Sequence, residues 1–262
     1  MPRDSKVTTV ESFARQCRGQ MIPLNKAFSY FSALPLEEAA LRKLLYEPIA
    51  AVPPTVGHTL PNLGFVLVPF LEKHKLTGAE GGRIGGQRKA GTTPGVSFDP
   101  PAATRRLYAT TIGLKEQDFL FLAIKDEEVT DCHYSLYGAL ATLLSHRLEQ
   151  ESINGFQDLV RDELSAEAHG EIDERSWRLK EQLIRRQSDL ARPTKLLENY
   201  CRQALADTLT LYLHGLCCDI DIEPGPRQLA SPRIRRRLEL LRRVLPPPKG
   251  RALFPEDLSK QR

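Results

Sequence analysis

A chain of 262 residues with 41% apolar and 27% charged side chains has enough material for a hydrophobic core, and it excludes collagen-like, coiled-coil or wholly disordered character. No apolar run approaches the roughly 18 to 20 residues needed to cross a bilayer, and Met1 to Gln20 builds no signal-peptide core, so the expectation is a cytoplasmic protein with no membrane association. A net charge of +4 is too small to mark the whole surface as nucleic-acid binding, and the excess lies at the C-terminus.

In chain order, Val10 to Glu47 carries short helical signals. Leu41, Leu44 and Leu45 share a face within Leu36-EEAALRKLLYE, and Pro48, Pro53 and Pro54 are read as ending that run. Leu63-Gly-Phe-Val-Leu-Val-Pro-Phe-Leu71 has strand length and composition, with Pro69 marking an edge or a break. Gly78 to Gly95 holds seven glycines in eighteen residues, with Arg83, Arg88 and Lys89 between them, and is read as a flexible loop. A phosphate-binding loop needs a strand before it and Gly-Lys-Ser/Thr opening a helix after it; here Lys89 precedes Ala90, and no strand is expected to lead in.

Phe119-Leu-Phe-Leu-Ala-Ile124 is a second strand, followed by acidic residues that open a helix over Val129 to Glu149. Further helices are expected at Ile153 to Ala168, Asp173 to Gln187, Thr194 to Leu216 and Arg233 to Leu245, with Gly155, Gly170, Pro193 and Pro232 at the joints. In the fourth helix of this series, Leu197, Cys201, Leu205, Thr208 and Tyr212 form a stripe that Leu209 and Leu213 widen, which predicts burial on most sides. The fold class is therefore α+β and mainly helical, with a bundle-like C-terminal half and a small sheet near 63–71 and 119–124. The expected organisation is 1–77 (N-terminal helices and first strand), 78–104 (loop), 105–225 (helical core) and 226–262 (basic helix and tail).

Leu67-Val-Pro-Phe-Leu-Glu-Lys, Gly78-Ala79, the Phe-Leu-Phe-Leu-Ala-Ile strand and the helix HYSLYGALATLLSH together give an outline that resembles the ImmA/IrrE-type zincin-like domains, over about Leu63 to Leu183. In that family a strand leads into a helix bearing His-Glu-x-x-His, and a downstream acid supplies a third zinc ligand. The resemblance places Gly138 at the first histidine, Ala139 at the glutamate and Thr142 at the second histidine, where none can bind zinc or take a proton from water. Glu171, Asp173 and Glu174 match the third-ligand position. The resemblance thus implies a catalytically inactive, sensor-like domain.

The densest reactive segment is Tyr212 to Glu223, which contains His214, Cys217, Cys218, Asp219 and Asp221. His214, Cys217, Asp219 and Asp221 are the candidate catalytic set of a metal-dependent hydrolase, with zinc as the cofactor that set would take. Adjacent Cys217 and Cys218 point about 100° apart on a helix, so both face one metal only where the chain bends. The plain alternative is buried thiols, with His214 bonded to a carbonyl. His133 and His146, thirteen residues apart, are too far along one helix to share a metal; His133 joining His214 and Cys217 across two helices is the remaining metal-ligand candidate. The five cysteines follow no disulfide spacing and are read as reduced. Trp177 is expected in the core, and Asp173 and Glu174 as the acidic start of a helix.

Arg227 to Arg251 carries eight arginines and one lysine against a single acid, Glu239. Ser231-Pro232 signals a helix start; Ile234, Leu238, Leu241 and Leu245 make an apolar stripe opposite Arg235, Arg236, Arg242 and Arg243. Guanidiniums facing outward suit an acidic protein or another anionic partner. Nucleic acid is the weaker partner, because the segment lacks interleaved aromatic residues. The leading expectation is a non-enzymatic protein that acts through this arginine helix.

Overall fold

The two apolar runs of the sequence become neighbouring parallel strands. The computed structural model describes residues 7–75, 92–115, 117–187, 192–218 and 227–254. Its strands are β1 (Thr8–Thr9), β2 (Ile22–Pro23), β3 (Phe28–Ser32), β4 (Leu63–Val68), β5 (Phe70–Lys75), β6 (Thr92–Ser97), β7 (Arg106–Leu107), β8 (Ala109–Leu114) and β9 (Gln117–Ala123). Its helices are α1 (Val10–Cys17), α2 (Glu38–Leu41), α3 (Glu47–Ala50), α4 (Pro54–Thr59), α5 (Val129–Ser145), α6 (Gln150–Ser165), α7 (Glu174–Arg185), α8 (Lys195–Cys217) and α9 (Ser231–Val244). The architecture is α+β and mainly helical. Among the described residues no helix is long and apolar enough to cross a membrane.

The chain divides into two compact units, Met1–Tyr46 with Pro61–Ala139 and Glu47–Leu60 with Leu140–Arg262. One boundary falls inside α5, a continuous helix, between Ala139 and Leu140 and one residue past Gly138, with no proline or charge run beside it. The 105–225 stretch, read from the sequence as a helical core, opens instead with β7, β8 and β9.

In the first unit a five-stranded sheet runs β2-β3-β4-β9-β8. β4 pairs in parallel with both β3 and β9, with Val66 opposite Phe31 and Phe121. Every residue of β4 is buried, which is why this segment is continuously apolar instead of alternating. Pro69 lacks a backbone donor and cuts the run there, so Phe70 opens β5 in a second, antiparallel sheet ordered β1-β6-β5-β7. α1 buries Val10, Ala14 and Cys17 against Val66, Val68, Phe119 and Phe121. Thr9 starts that helix, its Oγ1 accepting from Ser12 N at 3.3 Å.

β5 enters the glycine-rich segment and β6 leaves it, paired from Phe70↔Ser97 to Lys75↔Thr92. A strand does lead in, contrary to the sequence expectation, and Thr92 to Gly95 belong to β6. A second strand follows where a phosphate loop requires a helix, so the segment joins two hairpin arms. Residues 76–91, with Arg83, Arg88 and Lys89, lie outside the described residues.

Pro48 does not end its helix. Between α2 and α3 the backbone widens into a π-helical turn over Arg42–Tyr46, and helix continues to Ala50. The i→i+5 pattern accommodates a proline that has no N–H to give. Pro53 and Pro54 likewise start α4 rather than stop a helix.

The second unit is built on α8, whose Leu197, Cys201, Leu205, Thr208, Leu209, Tyr212 and Leu213 are all buried, as the periodicity requires. Thr194 caps it, Oγ1 accepting from Leu197 N at 3.2 Å. α6, α7 and α9 pack on α8. α6 begins at Gln150 and runs through Gly155, which is therefore inside a helix and not at a joint.

Candidate functional site

α9 seats Ile234, Leu238, Leu241 and Leu245 in the core of its unit. The four outward arginines separate into two pairs, the members of each lying two turns apart. Arg236 and Arg243 are exposed, with Arg236 Nη2 lying 3.8 Å from an exposed Asp162 carboxylate. Arg235 and Arg242 instead bracket the Phe254 ring, at 4.4 and 5.8 Å from its centroid, and Arg235 also pairs with Glu239 at 3.0 Å. All four point away from the buried stripe, and among the described residues the tail contacts Arg235 and Arg242 through Phe254.

The residue that sequence reasoning missed is Arg237. It lies three residues after Ile234 and four before Leu241, so helical spacing places it beside the buried stripe, and it is wholly buried. Its Nε donates to Glu163 Oε2 at 3.0 Å, its Nη1 to Glu171 Oε2 at 2.8 Å and its Nη2 to Glu171 Oε1 at 3.0 Å. Lys180, also buried, donates to the Gly170 carbonyl at 2.9 Å and stands 3.5 Å from Glu171 Oε1; the Tyr200 hydroxyl donates to the same oxygen. Two carboxylates and two cations cancel, which is the condition for holding charges away from water.

Electrostatics follow this geometry. Burial opposes the charged form of Glu171, but Arg237, Lys180 and Tyr200 outweigh it and hold the carboxyl below the usual range. Burial pulls Lys180 down, only partly offset by Glu171, and pushes Tyr200 up, with the Glu171 charge adding to the effect. Asp207 arrives as a further, half-buried carboxyl without a countercharge among the described residues. Burial pushes it up to about 6 against the hydrogen bond from Gln203, and its Oδ2 has no partner among the described residues. The four charged side chains are buried, and together they tie α6, α7 and α9 to the segment before α7.

At the end of α8, His214 and the thiols Cys217 and Cys218 are half-buried. The helix stops at Cys218, whose backbone is extended (φ −130°, ψ 148°), and this bend brings the two sulfurs within 4.8 Å of one another. Asp219 and Asp221 lie outside the described residues. His133 belongs to the first unit, where its Nε2–H donates to the Lys43 carbonyl at 2.8 Å, while His214 and Cys217 belong to the second. Cys17, Cys132 and Cys201 are buried, and burial pushes each thiol up to about 11.

Gly138, Ala139 and Thr142 all fall on α5. The acids downstream each have structural work: Glu171 binds Arg237, Asp173 caps α7 by accepting from Arg175 N at 2.8 Å, and Glu174 pairs with Arg178 at 2.7 Å. Trp177 is half-buried and not a core anchor; the Arg227 guanidinium lies over its ring, 4.4 Å from the centroid. Compared with models of known families, with curated proteins and with solved structures, the chain matches none.

Proposed function

We infer that the chain acts by holding an acidic partner protein against the outward face of α9. The observation that carries this reading is the arrangement of one short helix. Its apolar stripe and Arg237 are buried, which fixes its rotation, and Arg236 and Arg243 are thereby presented together to solvent. Seven residues at ~1.5 Å rise put the two about 10 Å apart along the axis, a spacing suited to successive carboxylates of an extended or helical acidic segment. An exposed pair such as Arg236 with Asp162 contributes little and exchanges readily for a better partner. Phe254 supports protein over single-stranded nucleic acid, because Arg235 and Arg242 already occupy its ring, where a base would have to stack.

The same geometry selects the variant. Changing Arg235 or Arg242 releases Phe254, whereas Arg236→Gln with Arg243→Gln removes two charges and leaves that contact alone. On immobilised poly-glutamate in a salt gradient, the double variant is expected to elute at clearly lower salt than the parent, with an unchanged melting temperature. Elution at the same salt sinks the interaction reading.

A further inference from the structure

We propose that the cleft between α6, α8 and the end of α5 binds a small amphipathic anion, a compact hydrocarbon or aromatic body carrying one carboxylate, sulfonate or phosphate. The cleft has a volume of about 390 Å³, within the range of small-molecule sites, and lies wholly inside the second unit. Its floor is apolar: Phe156, Cys201 and Leu205 are all buried there. One imidazole and two guanidiniums stand on its wall, His146 just past the end of α5, Arg161 from α6 and Arg202 from α8, against one carboxylate, Glu198.

What points to a ligand is the state of these charges. Arg202 follows Glu198 by four residues, the spacing and order at which a helical ion pair closes most readily, yet the two make none. Among the described residues Arg202 has no ion-pair partner at all. Arg161 is engaged only with Asp158 on its own helix at 3.1 Å, and its positive field reaches Cys201 on the cleft floor. Two guanidiniums from different helices over an apolar floor would grip an anionic head by charge-assisted hydrogen bonds while the body displaces water below. The α9 face has exposed guanidiniums without such a floor, so the two surfaces select different molecules.

Calorimetric titration of the full chain with 1-naphthalenesulfonate, and separately with neutral 1-naphthol, tests this assignment. The sulfonate is expected to bind and the naphthol to bind at least tenfold more weakly; Arg202→Gln and Arg161→Gln are each expected to weaken the sulfonate about tenfold. Ile153→Trp, at a half-buried position on the cleft wall, is expected to block it while a thermal melt verifies folding. Arg236→Gln/Arg243→Gln on α9 is expected to leave it unchanged. The proposal is overturned if the sulfonate does not bind, if naphthol binds equally well, if neither cleft arginine matters, or if the α9 variant loses binding to the same degree.

Discussion

Arg237 and Glu171, sixty-six residues apart, are joined by two parallel hydrogen bonds at 2.8 and 3.0 Å with both side chains out of contact with water. Glu163 takes the remaining edge of the same guanidinium. α9 thus holds α6 and the segment before α7 through one residue, which also fixes which arginines of α9 can face outward.

Arg237→Gln would leave two buried carboxylates with only Lys180 to balance them. Breaking a buried pair from one side costs about 3–5 kcal/mol, far more than the pair contributes relative to an apolar replacement. Urea unfolding should show that loss at neutral pH; a change under about 1 kcal/mol would mean that water reaches the cluster. Arg236→Gln, one residue away and exposed, should stay within about 0.5 kcal/mol.

Asp207 and Glu171 give opposite pH dependences. The folded pKa of Glu171 is depressed, so its contribution is present above the unfolded value and is lost as pH falls through the folded value. For Asp207 the folded value is raised from 3.8 to about 6, so its contribution is present at acid pH and is lost as pH rises across that window. Asp207→Asn should therefore stabilise the protein at pH 7, by about 1–2 kcal/mol after discounting for partial exposure, and have little effect near pH 4. Melting temperatures at pH 4, 5, 6 and 7 give the comparison; a variant less stable at pH 7 shows that the ionised carboxylate has a favourable partner.

The cysteines should divide in two. Cys17, Cys132 and Cys201 are buried with thiols raised to about 11, leaving almost no thiolate at pH 8, whereas Cys217 and Cys218 are partly open at a helix end. Brief iodoacetamide treatment followed by peptide mass spectrometry should find label at Cys217 and Cys218 first. Equal labelling at Cys201 would contradict the burial of α8.

The long helices were legible because each buries a stripe at 3.6-residue spacing over three or more turns, and α8 shows seven such positions. β4 and β9 were legible as dense apolar runs. β3 was not: Phe28-Ser-Tyr-Phe-Ser32 has no β-branched residue, and its strand character comes from parallel pairing with β4, a tertiary effect. Arg237 was hidden for a related reason. An arginine among arginines reads as surface, and only its place on the Ile234–Leu241 stripe hinted at burial; the carboxylates that make burial possible lie 74 and 66 residues away. The spacing of Cys217 and Cys218 held the opposite lesson, since the sequence stated what the chain had to do for the thiols to meet, and the extended backbone at Cys218 does it.

Gly170 and Gly155 make a paired test of where the second unit is tight. Gly170 has φ +77°, and a Cβ there would sit 2.4 Å from the Gln228 carbonyl oxygen, because the two strands of main chain pass at contact distance. On either side of that contact Glu171 N donates to Arg227 O at 2.9 Å and Leu229 N donates to Glu171 O at 3.2 Å, and the Gly170 carbonyl receives Lys180. A methyl group at Gly170 would therefore have to part the Arg227–Leu229 segment from Glu171 and shift an acceptor of the buried cluster. Gly170→Ala should cost more than the ~1 kcal/mol of an unfavourable φ alone, on the order of 2–4 kcal/mol in urea unfolding. Gly155 lies inside α6 with nothing within 4 Å of its would-be Cβ, so Gly155→Ala should instead stabilise by about 0.5–1 kcal/mol through helix propensity. If Gly170→Ala proves as mild as Gly155→Ala, the segment before α9 is not held against Glu171, and Arg237 loses the support that orients its partner.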